Sequence, residues 1–289
     1  LRPQCLGHKT FYSFRARYGV LERREFGGRN VDVVVAYRDV DQLSGMIARD
    51  ASVLRKEDCL DLPPKIYETR NVDLTDEQLR LYRELKEWAS AEVSAGKFVT
   101  TTEVITQLLR LHQIVCGHVV DENGGMTHIP TRRLDALSEV VDEVGDKVIV
   151  WCSYRADVAR VAAHLRGRGS QGVTYDGSVG TAERQQALDA FQEGSADVFV
   201  ATPHTGGYGI TLTAARAVVY YSNTYDLEKR MQSEDRAHRI GQTKSVLYVD
   251  LVTPGTVDEK MLQVLQKKQN LANLIMDGPA RIREMMGSV

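Results

Sequence analysis

The chain has 289 residues, of which 43% are hydrophobic and 26% charged, and its formal net charge is −2. A chain of this size and composition can bury a core without disulfides or metals, and its overall charge gives no indication for nucleic-acid binding. The four cysteines are scattered and form no Cys-x-x-Cys pair, which predicts a reducing, intracellular compartment. No apolar run is long enough to predict a membrane span.

The first half of the chain predicts short strands mixed with helices. Pro63 and Pro64 exclude helix and predict an extended linker. Thr75 is predicted to cap a helix, because Asp76, Glu77 and Gln78 follow it in the first turn. The predicted strands cover residues 31–37 and 67–74, and the predicted helices cover residues 42–54, 75–94 and 102–116.

From residue 131 onward, short apolar strands alternate with amphipathic helices. This order is typical of an α/β fold in which helices cover both faces of a parallel sheet. Ligands bind such sheets at the carboxyl ends of the strands. Thr256 and Glu259 predict a capping box at the start of a long final helix that ends near Gly278. The predicted strands are residues 148–151, 172–175, 197–201, 217–221 and 246–252, and the predicted helices between them are residues 134–144, 156–165, 181–191 and a segment that begins at 228.

Two arginines in the last of these helices are the main candidates for a binding site. If residues 228–242 are helical up to their glycine, Arg236 and Arg239 extend from one face of the helix. Two planar, permanently charged guanidinium groups suit the binding of phosphate oxygens. Gln232 lies one turn before Arg236, and Gln242 follows the glycine. The same charges also fit a solvated helix with surface ion pairs, and the spacing alone does not decide between the two.

A glycine-rich loop follows the predicted strand at residues 197–201. Gly206, Gly207 and Gly209 would let the backbone approach a ligand, and exposed amides there would suit a phosphate. Tight turns produce the same pattern, so the loop alone is weak evidence. Its place one strand before the arginine segment predicts that both open onto the same edge of the sheet.

A metal site is not predicted. His112, Cys116 and His118 lie close together in the sequence, but only the first two share helical spacing. Because no fourth ligand is evident, buried structural roles are the preferred interpretation.

Several segments together resemble the Swi2/Snf2 group of superfamily 2 helicase-like ATPases. The string Gln-x-x-x-Arg-Ala-His-Arg-Ile-Gly-Gln, from Gln232 to Gln242, resembles motif VI of that group. The other similar segments are residues 54–65 (the connection between the two motor lobes), 109–116 (a helical block before lobe two), 148–154 (motif IV), 175–178 (a turn that contacts nucleic acid), 206–215 (motif V) and 255–260 (a closing brace helix).

The resemblance implies a RecA-like lobe and assigns roles to the candidate residues. Arg239 would be the arginine finger and Arg236 its companion on the nucleotide phosphates. Gly207 and Gly209 would shape the loop that couples nucleotide to DNA, and Gln232 and Gln242 would also lie on the nucleotide side.

Three further residues are implied to lie near the phosphate backbone of double-stranded DNA. They are Ser153, Gly177 and Thr202. Hydrogen bonding at strand ends explains Ser153 and Thr202 equally well.

The sequence departs from the group's pattern at several positions. Pro203-His204-Thr205 replaces a basic residue and an alanine, and Thr211 stands where asparagine is common. Ser222, Tyr225, Asp226 and Leu227 replace the usual Asp, Trp, Asn and Pro. These departures resemble the compact bacterial and phage branch, which predicts the cytoplasm of a bacterial or phage-infected cell.

The sequence contains no Gly-x-x-x-x-Gly-Lys-Ser/Thr motif, the loop with which motors of this class hold phosphates. The resemblance therefore implies a C-terminal motor half, with ATP and Mg²⁺ bound mainly by a lobe one outside this chain. The predicted domains are residues 1–60 (tail of lobe one and a helical protrusion), 61–130 (inter-lobe linker and helical insertion), 131–255 (RecA-like helicase C-terminal lobe) and 256–289 (brace helix and tail).

The implied function of the intact protein is ATP-driven translocation along double-stranded DNA. The resemblance implies that the present chain, as the C-terminal half, is inactive alone. Its implied partners are double-stranded DNA and the N-terminal RecA-like lobe of the same protein. Membrane association is not predicted, and no oligomer is indicated. Two alternatives stay open: a strand-separating or annealing helicase of the same superfamily, and a non-catalytic module that binds DNA or protein. A strand-displacement assay beside a triplex-displacement assay separates the first alternative from a translocase.

Overall fold

The computed structural model describes residues 6–26, 29–51, 56–94, 101–121, 123–177, 180–205 and 209–276. The chain divides into two compact units, one formed by Leu1–Cys59, Ala89–Val104 and Gln266–Val289, and the other by Leu60–Trp88 and Ile105–Leu265. Within the described ranges, no helix combines the length and the apolar character that a membrane span needs. Gly278 and the predicted tail at 280–289 lie outside the described residues.

The first unit contains an antiparallel hairpin next to two helices. Thr10 caps the first helix, since its hydroxyl accepts a hydrogen bond from the Ser13 amide while the Ser13 side chain returns to the Thr10 amide. The buried apolar cluster of this unit contains Leu6, Tyr18, Leu43 and Ile47. The elements are α1 (Phe11–Tyr18), β1 (Gly19–Phe26), β2 (Arg29–Tyr37), α2 (Val40–Asp50) and the short α3 (Lys56–Cys59).

The sequence predicted β2 and α2 in this unit but not β1. β1 reads Gly-Val-Leu-Glu-Arg-Arg-Glu-Phe, in which the charged run hides the alternation that indicates a strand. Its pairing with β2 along its whole length supplies the order that the local pattern lacks. The helix predicted to reach residue 54 ends at Asp50, where the Ala51 amide still donates to the Ile47 carbonyl.

The remaining elements follow along the chain, and from residue 131 onward strands and helices alternate as predicted. They are β3 (Lys65–Asn71), α4 (Asp76–Ser94), α5 (Thr101–Cys116), β4 (His118–Val120), β5 (Met126–His128), α6 (Arg133–Val144), β6 (Val148–Trp151), α7 (Arg155–Gly167), β7 (Gly172–Tyr175), α8 (Thr181–Gln192), β8 (Val198–Ala201), β9 (Ala217–Tyr220), α9 (Leu227–Ala237), β10 (Val246–Val252) and α10 (Val257–Met276).

A six-stranded parallel sheet forms the centre of the second unit. Its strand order is β3-β10-β9-β6-β8-β7, and β6, β8 and β9 are buried along their whole length. Alternate residues of β6 face opposite sides: Val148 and Val150 pack with α6 and α7, whereas Ile149 and Trp151 pack with α8 and the end of α9. The predicted α/β fold, a RecA-like parallel sheet with helices on both faces, is confirmed.

The edge strand β3 comes from the segment that the sequence assigned to an inter-lobe linker. It pairs in parallel with β10, in a register that runs from Lys65 opposite Val246 to Asn71 opposite Val252. The two long helices α4 and α5 therefore lie in the sequence between one strand of the sheet and the other five. The four-part division at residues 60, 130 and 255 stays a prediction.

A buried arginine joins the carboxyl ends of two strands to two helices. Arg133, at the first position of α6, donates to the Tyr221 carbonyl, to the Leu251 carbonyl at 3.1 Å and to the Thr253 hydroxyl at 3.1 Å. It also forms an ion pair with Asp258 in α10. Because every partner is buried, this network fixes α6 and α10 to the ends of β9 and β10.

Candidate functional site

The parallel strands bring the three predicted DNA-contacting residues to one edge of the sheet. β6, β8 and β7 are neighbours in that order, and Ser153, Thr202 and Gly177 follow their carboxyl ends. Adjacent strands lie about 4.8 Å apart, so these residues form a row roughly 10 Å long. The prediction that these residues lie near the phosphate backbone of DNA stays a prediction.

The side chains of this row differ in their local contacts. The Ser153 hydroxyl donates to the Ser222 carbonyl at 3.0 Å and to the Asn223 carbonyl at 2.9 Å. Both carbonyls belong to the segment that follows β9. The Thr202 hydroxyl lies 2.9 Å from that of Thr205 and is largely buried. Gly177 has open space where a side chain would extend. A ligand would therefore meet backbone at Gly177, while Ser153 and Thr202 already bond locally.

The arginine segment begins as a helix, but the helix is shorter than predicted. Asp226 caps α9 by accepting from the Lys229 amide. The helix ends at Ala237 and not at Gly241, so Arg239 lies beyond it. The Gln242 side chain donates to the Ala237 carbonyl at 3.2 Å and so satisfies a carbonyl that the helix end leaves open. The prediction of one continuous helical face for both arginines is wrong.

A tight turn after α9 still directs Arg239 toward the sheet edge. The Gln242 amide donates to the Arg239 carbonyl at 2.9 Å, and Gly241 has a φ of +99°, which a glycine adopts without strain. Ile240 at the tip of this turn is 71% exposed. The turn thus replaces the last helical turn that the sequence predicted.

Arg239 is exposed and contacts the segment that follows the glycine loop. Its Nη1 donates to the Thr211 hydroxyl at 3.2 Å and lies 3.5 Å from the Ile210 carbonyl oxygen. The Leu212 amide donates to the Arg236 carbonyl at 2.9 Å, which joins the same segment to the end of α9. The two sequence motifs therefore contact each other. This contact lies near the amino ends of the strands, because Glu234 bonds to Lys65 at the start of β3 and Gln242 bonds to Arg216 just before β9. The sequence had associated it with the carboxyl ends.

The charge of Arg239 acts on the guanidinium of Arg236, and the carboxylate of Asp235 acts in the opposite sense. Arg236 is half-buried, and burial, followed by the charge of Arg239, holds the pKa of its guanidinium below the usual range. Arginine remains charged under ordinary conditions, so the pair concentrates positive charge at the edge. An anion bound there would relieve this repulsion, which makes a phosphate a chemically suitable ligand.

The four residues predicted beside the nucleotide have different outcomes. Gly207 lies outside the described residues. Gly209 has a φ of +72° and open space in place of a side chain, so it can present its backbone to a ligand. Gln232 is half-exposed and bonds only locally within its helix, to Glu228 at 2.9 Å. Gln242 is 5% exposed, and its amide group joins backbone groups of the surrounding loops.

The described residues show no cluster of three or more His, Cys, Asp or Glu side chains that could hold a metal ion. His112 Nδ1 lies 2.8 Å from the Tyr154 hydroxyl, and its Nε2 lies 3.5 Å from Asp258 and 3.6 Å from Cys116. His118 lies 3.0 Å from Asp157. All of these groups except Tyr154 are fully buried, which fits structural roles.

Sequence reasoning missed the residues that hold α9 against the sheet. Glu234 accepts from Lys65 and from Tyr67, both in β3, at 2.8 Å each. Arg230 forms a two-point ion pair with Asp250 in β10. The available signals were an aspartate inside an otherwise apolar strand and the four-residue spacing of Arg230 and Glu234.

Comparisons with known proteins identify a helicase domain. The family described as Helicase conserved C-terminal domain matches residues 132–241. Human TATA-binding protein-associated factor 172 is 26% identical over 92% of this chain, and the Arabidopsis thaliana CHD3-type chromatin-remodeling factor PICKLE is 25% identical over 90%. The chain spans only 18% and 20% of these two relatives.

A solved structure has the same fold. It is the Sulfolobus solfataricus SWI2/SNF2 ATPase core in complex with double-stranded DNA, with a TM-score of 0.57 and 23% identity. The match covers 98% of this chain and 59% of that one.

The predicted bacterial or phage origin, with its cytoplasmic location, is wrong. The curated relatives are eukaryotic chromatin-remodelling and TATA-binding-protein-associated factors from human, plant and yeast. The departures at residues 203–205 and 222–227 that suggested the compact branch lie in loops and at a helix start, and loops generally vary more between homologues than the elements they connect.

Residues 132–241 thus match the helicase conserved C-terminal domain, and the chain is similar in sequence to chromatin-remodelling factors and has the fold of a SWI2/SNF2 ATPase core.

Proposed function

We propose that this chain is the C-terminal motor half of a DNA-dependent ATPase that moves along double-stranded DNA. In this proposal ATP and Mg²⁺ are held mainly by a nucleotide-binding lobe outside the chain, and Arg239 and Arg236 contact the phosphate oxygens. Finger arginines of this kind stabilise charge in the transition state and contribute about 10³–10⁵ in rate.

One observation carries the proposal. Exposed Arg239 and half-buried Arg236 meet the segment after Gly209 at the edge of a parallel sheet. An anion bound between the two cations would relieve their mutual repulsion, which supports a phosphate as the ligand. The two guanidinium groups that would contact the phosphate oxygens are therefore present in this chain. The phosphate-binding loop with its lysine is absent from the sequence.

The DNA part of the proposal is supported by the row at the carboxyl ends of β6, β8 and β7. The similar Sulfolobus core was solved with double-stranded DNA bound. Backbone at Gly177 and the strand-end groups near Ser153 and Thr202 would meet phosphates rather than bases. Contacts of this kind position a protein on a duplex without reading its sequence.

The decisive experiment measures DNA-stimulated ATP hydrolysis by Arg239→Ala in the intact protein that unites this chain with a nucleotide-binding lobe. We expect turnover to fall by about 10³-fold or more, because a transition-state contact is lost. The dissociation constant for a duplex is expected to change little, since Arg239 lies apart from the proposed DNA row. Residues 1–289 alone are expected to show no turnover.

Arg80→Ala is the matched control, because Arg80 is an exposed arginine that pairs with Glu84 on α4. We expect it to hydrolyse ATP at the wild-type rate. Wild-type turnover by Arg239→Ala would refute the finger role. A triplex-displacement assay beside a strand-displacement assay then tests the mode of action, since a translocase clears the third strand and leaves the duplex intact.

A further inference from the structure

The extended segment at residues 63–67 contacts the arginine segment at three places. The His238 ring donates from Nε2 to the Pro63 carbonyl at 2.8 Å. Lys65 Nζ donates to Glu234 Oε2 at 2.8 Å, and the Tyr67 hydroxyl donates to the same oxygen at 2.8 Å. These contacts fall on both sides of Arg236, at residues 234 and 238. A shift of Arg236 along or away from the sheet would therefore break at least one of them.

The Glu234 carboxylate is the centre of this contact. Its side chain is 10% exposed, and its second oxygen accepts from Arg230 Nε at 2.8 Å. Burial raises the pKa of Glu234, but Lys65 and Arg230 outweigh burial and hold that pKa below its usual value. Burial and the nearby Glu234 raise the pKa of Tyr67, so its hydroxyl keeps the proton that it donates. A buried carboxylate with three donors is held in one place more firmly than an exposed ion pair.

A second anchor holds the start of the same helix. Arg230 donates from Nη1 and Nη2 to the two oxygens of Asp250 at 2.5 and 3.0 Å. Its guanidinium carbon lies 3.5 Å from the centre of the Tyr220 ring. Arg230 thus fixes the first half of α9 to β9 and β10, while the Glu234 contact fixes the second half to β3. The half that carries Arg236 is held by Lys65 and Tyr67 together with Tyr248, whose hydroxyl donates to the Glu234 carbonyl at 3.0 Å.

We propose that Lys65, Tyr67 and Glu234 are positioning residues that hold Arg236 and Arg239 at the sheet edge. This inference rests on the function proposed above. Productive geometry at a phosphate is demanding, and a displacement of about 1 Å costs on the order of 10²-fold in rate. Loss of the Lys65 contact would loosen the end of α9 without removing either arginine, while the backbone bond from Leu212 to Arg236 remains.

The test compares two variants on one strand in the intact ATPase. Lys65→Met removes the contact with Glu234, and Arg70→Met removes the ion pairs of Arg70 with Glu68 and Glu143. Both side chains belong to β3 and are similarly exposed, at 22% and 27%. We expect Lys65→Met to lower kcat at least tenfold while the KM for ATP and the Kd for duplex DNA change less than threefold. Arg70→Met is expected to keep kcat within twofold of wild type.

A milder variant and a stability measurement complete the design. Tyr67→Phe removes one hydroxyl and is expected to lower kcat between twofold and fivefold, so it tests the inference if Lys65→Met does not fold. The Tm of each variant is measured, because a purely structural role would lower kcat only in step with Tm. Equal kcat in Lys65→Met and Arg70→Met, or a kcat in Tyr67→Phe equal to wild type, would overturn the positioning role. An inactive Arg239→Ala together with an active Lys65→Met would reject the positioning alone, whereas an active Arg239→Ala rejects the proposed function.

Discussion

Two glutamines of the arginine motif show how one residue type takes two different roles. Gln232 is half-exposed and bonds to Glu228, one turn earlier in the same helix. Gln242 is buried, and it donates to the carbonyls of Thr213, Ala215 and Ala237 while its oxygen accepts from Arg216. The sequence placed both beside a nucleotide because both belong to one motif. Their surroundings favour an accessible role for Gln232 and a structural one for Gln242.

This difference predicts opposite effects on stability. Gln242→Ala leaves buried carbonyls without a donor, and an unsatisfied buried polar group costs about 1–3 kcal/mol. Gln232→Ala removes only a local surface hydrogen bond and is expected to change the free energy of unfolding by less than about 0.5 kcal/mol. Urea unfolding followed by circular dichroism measures both values. Equal losses in the two variants would contradict the structural role assigned to Gln242.

At the scale of elements, the fold depends on a charge buried where helices meet strand ends. Arg133 and Asp258 join α6 to α10, and the His112 ring approaches the same carboxylate. Removal of one partner from a buried ion pair costs about 3–5 kcal/mol, because the other charge stays buried and unpaired. The attachment of α6 to α10 therefore depends on an ion pair that no local sequence pattern predicts.

The same pair predicts how stability responds to acid. Burial would raise the pKa of Asp258, but Arg133 and a hydrogen bond with His112 outweigh burial and hold that pKa far below its usual value. An aspartate in the unfolded chain titrates near pH 3.9, so this contribution is complete above about pH 5 and declines as the pH falls toward the folded pKa. We expect the free energy of unfolding of the wild type to fall steeply below about pH 4.

Asp258→Asn tests the assignment by urea unfolding between pH 7 and pH 3. We expect it to lose about 3–5 kcal/mol at pH 7 and to depend less on pH in acid. Asp142→Asn is the control, because Asp142 pairs with Arg168 on the surface. Surface pairs contribute about 0–1 kcal/mol, so this variant should keep the wild-type acid profile. An unchanged acid slope in Asp258→Asn would show that other groups control it.

At the scale of the whole molecule, the sequence predicted elements better than their assembly. The apolar strands β6 to β10 were placed to within about one residue, because short apolar runs between amphipathic helices indicate parallel strands. β3 was predicted as a strand but assigned to a linker, since its Lys, Glu and Arg residues do not indicate a sheet member. The arginine motif was recognised from its residue string, but the end of its helix was not predicted, because the Leu212 amide that bonds to the Arg236 carbonyl is distant in sequence.

The position of β3 predicts which shortened chains fold. Without β3, the edge of β10 loses its hydrogen-bonding partner and exposes a template for aggregation. We expect a polypeptide of residues 60–276 to be monomeric and to unfold cooperatively. A polypeptide of residues 72–276 differs by little more than β3 and is expected to associate. Size-exclusion chromatography with light scattering measures the difference, and a monomeric 72–276 chain would show that β3 is dispensable.

The pairing of β3 with β10 also has a consequence for biosynthesis. Lys65 leaves the ribosome long before Val246, its partner in the sheet. At translation rates of about 5–20 residues per second, the nascent strand waits roughly 10–35 s for that partner. Lys65, Glu68 and Arg70 keep the waiting strand charged, and charged residues discourage premature association with other chains. The charged composition that does not indicate a sheet member is therefore the one that suits a strand whose partner is synthesised later.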